Sequence, residues 1–208
     1  MLPANVANST PRCEGQLLQS QIQERQAITL NLLKTRKFRE LQDRMDGFLA
    51  AYVSREISDE ELFYEFGAFD RWGPFLTPMF QEWVDHYPKS FAAYHAMALH
   101  TNAVAFQMRG SAFAKDTSPQ QMGAFDAKLR TARNWSMRSI PLHPKPILAY
   151  QQLMANAKAI RFDLGRRLPG ATSGRTTIPT TLVPSPDVIP ILEASIRIQP
   201  DNTIVREA

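Results

Sequence analysis

The sequence predicts an all-α protein in which antiparallel helix pairs, about eight helices in all, stack side by side as an α-solenoid. Three observations carry that expectation. Apolar residues recur at steps of three and four along nearly every long segment, two S-x-x-E/Q boxes stand where such segments begin, and one proline-centred phrase occurs three times. The phrase is YPKSFAAYH at 87–95, HPKPILAYQ at 143–151 and, in a weaker copy, QPDNTIVRE at 199–207; Pro88, Pro144 and Pro200 are spaced 56 residues apart.

Residues 1–16 are expected to form a flexible leader. They have no basic start followed by an apolar run, so they read as neither a secretory signal nor a membrane span. Residues 17–34 predict a polar helix with Leu18, Ile22, Ile28 and Leu32 on its apolar face, broken around KTRK. A second helix begins near Phe38 and carries Leu41, Met45, Phe48, Leu49 and Tyr52 on one face. Ser58 with Glu61 forms a capping box that opens a helix bearing Leu62, Phe66 and Phe69, with Gly73 and Pro74 as its stop. Pro78 suits the first turn of the next helix, which passes Trp83 and ends at Tyr87.

After Pro88 the spacing predicts an alanine-rich helix to Met108, stopped by Gly110, whose small side chains let a neighbour approach closely. Ser118, Pro119 and Gln121 make a second capping box, and Met122, Phe125, Leu129, Ala132 and Ser136 mark the buried face behind it. Beyond Pro144 and Pro146 a helix carries Ile147, Tyr150, Met154 and Ala157 and ends near Gly165. A final one carries Ile189, Leu192 and Ile196 up to Pro200. Only TTLV at 180–183 has strand character, and it is too short to stand alone.

In each copy of the phrase a helix ends, proline forbids its continuation, and a new apolar face starts at once. The phrase is therefore a corner. Ala93, Ala149 and Val205 lie five residues past the prolines, where a small side chain can face the preceding helix.

Composition agrees with a globular reading and excludes others. A chain of 208 residues is long enough to bury roughly 70% of its unfolded surface. Apolar residues at 44% and charged residues at 21% argue against both disorder and a membrane protein. Net charge is +4, from 24 basic and 20 acidic side chains spread along the length, a mild bias for a nucleic-acid binder. Cys13 is the sole cysteine, so packing rather than a disulfide must hold the fold, and a cytoplasmic location is expected, or a periplasmic one if a leader has been removed.

SIRIQPDNTIVREA and LLKTRKFRELQDRMDGF are similar to the joint and the inner turn of tetratricopeptide repeats, with Phe38, Leu41, Met45 and Phe48 at the packing positions. The spacing of the copies exceeds that family's period, so a tetratricopeptide-like fold with lengthened helices is implied. FGAFDRW, EWVDHYPKSFAAY, MRGSAFAKDTSPQQM and HPKPILAY, taken in order over residues 30–208, resemble a bacterial family of helical proteins known as a domain of unknown function. That resemblance implies a fold and no chemistry. Because NTIVREA starts an amphipathic turn without a cap, the single domain at 17–208 is expected to be truncated at its C-terminus.

No residue set meets the demands of a catalytic, cofactor or metal site. His95 and His100 are five apart and face different ways, and Glu82 with His86 lacks a matching pair on another helix. Cys13 has no ordered base beside it. GATSGRT is similar to a phosphate loop but has glycines too close and Arg175 where lysine belongs. It lies in a long loop at 165–184, which has three Arg and no Asp or Glu and can meet an acidic surface.

The first expectation is a noncatalytic interaction module that holds a protein or peptide in a helical groove or on that basic loop, in the manner of an effector-associated or neutralising protein. Its candidate partner-binding residues are Arg166, Arg167, Arg175, Tyr94, His95 and Arg109. One alternative is an enzyme that gathers Glu65, Asp70, His86 and His95 in a pocket. The other is a weak nucleic-acid binder using Lys34, Arg36, Lys37 and Arg39.

Overall fold

A computed structural model describes residues 12–73, 75–110 and 117–164, and every regular element in them is helical. Helix α1 is Arg12–Lys34 and begins ahead of residue 17, taking Cys13 into its first turn. Its buried face is Ile22, Thr29 and Leu33, whereas Ile28 is exposed and Leu32 half-buried. The face expected from apolar residues alone is thus rotated. Two polar contacts set the register: Gln26 Nε2 donates to the Tyr64 carbonyl at 2.6 Å, and Arg44 Nε donates to Thr29 Oγ1 at 2.9 Å. Buried polar groups take the orientation that gives them partners, and Ile28 follows the turn outward.

The chain reverses through Arg36 in the left-handed region, φ 55°, into α2, Phe38–Val53. Phe38, Leu41, Met45, Leu49 and Tyr52 are buried as their spacing predicts. Helix α3, Asp59–Phe66, opens on the Ser58–Glu61 capping box and closes into a 3₁₀ turn at Gly67–Phe69, ahead of the expected stop at Gly73 and Pro74. In a 3₁₀ turn residues three apart eclipse, which brings Phe66 and Phe69 to the same side with ring centroids 5.9 Å apart. Helix α4 is Leu76–His86, with Pro78 in its first turn.

Helix α5, Phe91–Arg109, is capped by Ser90 Oγ accepting from the Ala93 N–H at 3.1 Å, and Gly110 at φ 77° ends it. That φ favours glycine, which explains the stop. Helix α6, Pro119–Ser139, has the Ser118–Gln121 box and proline at its start; a 3₁₀ turn at Ile140–Leu142 leads to α7, Ile147–Leu164. Seven α-helices are therefore seen among the described residues. The expected eighth, with Ile189, Leu192 and Ile196, falls outside them, as do TTLV, the 165–184 stretch and the third copy of the phrase.

Pro88 and Pro144 stand in the turns before α5 and α7, and Ala93 and Ala149, five residues on, are both fully buried. The corners thus do what the sequence asks of them. Contacts nevertheless reach beyond chain neighbours. Helix α1 touches α3 and α4 as well as α2, and both α2 and α7 reach α5. The contacts of α1 with α3 and α4 and of α7 with α5 join successive helix pairs, as stacking of pairs requires, while the α2–α5 contact reaches past a pair.

The main core joins Leu41, Met45, Phe66, Phe80, Trp83 and Ile147 across these elements, and Trp83 Nε1 donates to Gln42 Oε1 at 3.0 Å inside it. A satellite cluster of Ala105, Met122, Phe125 and Leu129 joins the far end of α5 to α6. Among the described residues no helix is long and apolar enough to cross a membrane.

Candidate functional site

Two concavities border α5, one at its start, at Ser90 and Phe91, and one along His95, Leu99 and Asn102. The outer groove is open, about 890 Å³, and runs between one face of α2 and the two proline corners. Asp43, Asp46, Ala50 and Val53, at steps of three and four, form the α2 wall; Tyr87, Pro88 and Lys89 and then Leu142, His143 and Pro144 form the other. Equivalent positions of the first two phrase copies therefore line one surface.

Lys145 holds the second corner in place. Its Nζ donates to the Val53 carbonyl at 3.0 Å, one of the acceptors left open at the end of α2, and lies 5.8 Å from the Tyr52 ring centroid. His143 packs on Phe91 at 5.0 Å and its Nδ1 accepts from the Lys145 N–H, while burial lowers the imidazole pKa and keeps it neutral at physiological pH. His86 packs its ring on Phe38 and donates from Nδ1 to the Glu82 carbonyl at 2.7 Å. Asp46 accepts from Gln42 Nε2 at 2.8 Å, so the α2 wall presents an acidic rim above an apolar floor.

The inner cleft, about 480 Å³, lies between α3 with its 3₁₀ turn, α5 and α7. Phe63, Tyr64 and Phe66 line it on one side; Asn102 and Gln151 add amides, and Asp70 and Arg71 stand exposed at its rim. His95 is 2% exposed, stacked on Phe91 at 5.5 Å and tilted against Phe66 at 5.2 Å. Burial lowers its pKa to about 3, so the ring is neutral. Its Nδ1, Asn102 Oδ1 and Gln151 Oε1 are buried without a hydrogen-bond partner among the described residues.

The residues considered for an enzyme separate. Glu65 turns toward α1 and α2, 3.0 Å from Arg25 and 4.0 Å from Arg44, and burial raises its pKa despite both arginines. His86 borders the outer groove, and only Asp70 and His95 share the inner cleft. Since His95 Nδ1 is unpartnered, Asp70 makes no hydrogen bond to it, and no acid–base pair stands in bonding geometry there.

Tyr94 and Arg109 are both engaged. Tyr94 is buried against Trp135, its hydroxyl accepting from Arg138 Nη2 at 3.1 Å. The Arg109 guanidinium lies over Phe106 and Phe125 at 5.3 and 5.6 Å. Arg166, Arg167 and Arg175 lie outside the described residues.

In the basic turn, Arg36 pairs with Glu82 at 2.7 Å, which raises the arginine pKa and lowers the carboxylate's, and Lys37 pairs with Glu40 at 3.1 Å; Lys34 and Arg39 are exposed. His100 donates from Nδ1 to the Arg71 carbonyl at 2.7 Å, which leaves Nε2 to accept from Thr77 Oγ1 at 2.7 Å, a structural role. Among the described residues no group of three or more His, Cys, Asp or Glu is placed to hold a metal ion.

Sequence reasoning identified the repeated phrase as a joint and named Tyr94 and His95 of its first copy, but not Tyr87, Pro88, His143 and Pro144, the corner residues that line the outer groove. The repetition was the available signal. Asn102 carries no motif that could have revealed it, whereas Gln151 ends the second copy of the phrase at the position His95 holds in the first.

Residues 25–163 match the family described as a domain of unknown function, DUF4034. No curated protein and no solved structure matches the chain.

Proposed function

We propose that this chain, which belongs to the DUF4034 family, is a noncatalytic interaction module that holds a segment of a partner protein in the outer groove. The observation that carries this reading is the meeting of the Pro88 and Pro144 corners beside the Asp43–Val53 face of α2. Proline offers no N–H, so the corners make a poor template for an added strand, and the occupant is held through its side chains. Val53 is 38% exposed and offers an apolar contact, with Ala50 a turn before it. The carboxylates of Asp43 and Asp46 suit lysine or arginine beside the occupant's apolar anchor.

The split of Glu65, His86, Asp70 and His95 between different surroundings supports a binding role over catalysis. The pairing of Arg36 with Glu82 and of Lys37 with Glu40 likewise speaks for a solvated turn over a nucleic-acid surface.

The test is selection of binding peptides from a random displayed library on the full chain, followed by fluorescence polarisation. The expected peptides combine an apolar anchor with basic residues and bind less tightly at higher salt. Asp46→Lys and Val53→Asp each weaken binding by about tenfold or more, and Met137→Ser, on an exposed position away from the groove, leaves it unchanged. Peptides that bind both groove variants as tightly as the parent, or a selection that enriches none, would overturn the reading.

A further inference from the structure

We infer that the inner cleft is a binding site for a neutral polyhydroxylated molecule of about monosaccharide size. The cleft, about 480 Å³, can admit such a molecule and unites two kinds of surface. One is aromatic: Phe63, 55% exposed, with Tyr64 and Phe66 beside it. The other is polar and lacks partners: His95 Nδ1, Asn102 Oδ1 and Gln151 Oε1 are each shut off from solvent and make no hydrogen bond among the described residues. A buried polar atom without a partner destabilises the free protein, and a ligand group that bonds to it once its amide or ring turns toward the cleft removes that cost.

The chemistry of these atoms narrows the ligand class. Either end of an amide, and either nitrogen of a neutral imidazole, can face the cleft. A hydroxyl donates and accepts through one oxygen, so a polyol can bond whichever end of each group is turned to the cleft. An apolar ligand would leave them unpaired. A cation or anion would lose its hydration to neutral groups, and at the rim Asp70 stands beside Arg71, so their charges oppose one another there. The C–H face of a cyclic polyol also gives the aromatic wall something apolar to cover, a combination typical of pockets that pair apolar walls with a few placed polar groups.

The test uses the full chain with glucose, mannose, N-acetylglucosamine and myo-inositol at millimolar concentration, with free arginine and citrate as charged counterparts. Binding is read by saturation-transfer NMR and titration calorimetry. At least one neutral polyol binds, and Asn102→Leu and Gln151→Leu each weaken it on the order of tenfold or more by removing a bonded group. Circular dichroism of the unliganded variants shows melting temperatures unchanged or raised, because each removes a buried atom that had no partner. A distant change at an exposed position, Met108→Ser, leaves binding intact.

The inference is overturned if no neutral polyol binds, if a bound polyol is indifferent to both leucine variants, or if only arginine or citrate binds. A high-resolution structure with the cleft filled by waters that these polyols fail to displace overturns it equally. None of these outcomes bears on the outer groove, whose test is separate.

Discussion

From Phe91 to Thr101 every residue of α5 except Leu99 is buried; from Asn102 to Arg109 only Ala105 is. The first stretch is small where neighbours press closest, with Ala92, Ala93, Ala96 and Ala98 fully buried, and carries its bulk in Phe91, Tyr94 and Met97. The second stretch packs on one side only. Phe106 is 40% exposed, meets Phe125 edge-on at 5.2 Å, and is covered by the Arg109 guanidinium. One helix thus serves as the centre of a core at one end and as a half-covered surface at the other. Its continuous spacing disguises that difference, because alanine is compatible with both settings.

The largest expected effect lies in the core that surrounds the first stretch. Trp83→Ala empties a fully buried site and strands Gln42 Oε1, so a loss of roughly 3–5 kcal/mol is expected from chemical denaturation. Phe125→Ala in the satellite cluster should cost less, near 3 kcal/mol, since Phe106 and Arg109 can settle into the space. Equal losses at the two sites would break the distinction.

The next test is pH. His95 has an ordinary value of 6.5 when unfolded and about 3 when folded, so above pH 6.5 both states are neutral and it contributes nothing to the slope. Below that the unfolded chain takes up a proton that the folded one refuses. Stability attributable to His95 then falls by about 1.4 kcal/mol per pH unit down to the folded value.

His100 and His143, also depressed by burial, act in the same sense, while Glu65 and Asp70, raised by burial, act in the opposite one. Comparison with His95→Phe isolates the term: the variant should lose less stability between pH 6.5 and pH 4, measured by urea denaturation at each pH. Parallel curves would mean that His95 is accessible to protons.

Smallest of all is Met108→Ser, at an exposed position of the second stretch. A change within about 0.5 kcal/mol is expected. A greater loss in thermal melting would show that this end of α5 is covered.

Much of this division was legible in the residues. The Ser58 and Ser118 capping boxes, the Gly110 stop and the faces of α2 and α6 all appear where spacing places them, because each depends on hydrogen bonds and periodicity within one or two turns. The α1 face was misread because Thr29 occupies the buried side and Ile28 the open one, an exchange set by Arg44 and the Tyr64 carbonyl from other elements. His95 was singled out, but its lack of a partner depends on what α3 and α7 bring near it. Tyr94 gave no hint of the Arg138 bond that occupies its hydroxyl.

By itself the sequence determined that this chain is helical, where its helices start and stop, and that Pro88 and Pro144 are corners, since these properties come from residues a few positions apart. Tertiary structure decided that the two corners meet on one face of α2, and that His95, Asn102 and Gln151 share a cleft without partners. Those outcomes depend on the relative placement of segments distant in the chain. Helical periodicity records which face is apolar and not which neighbour it will meet.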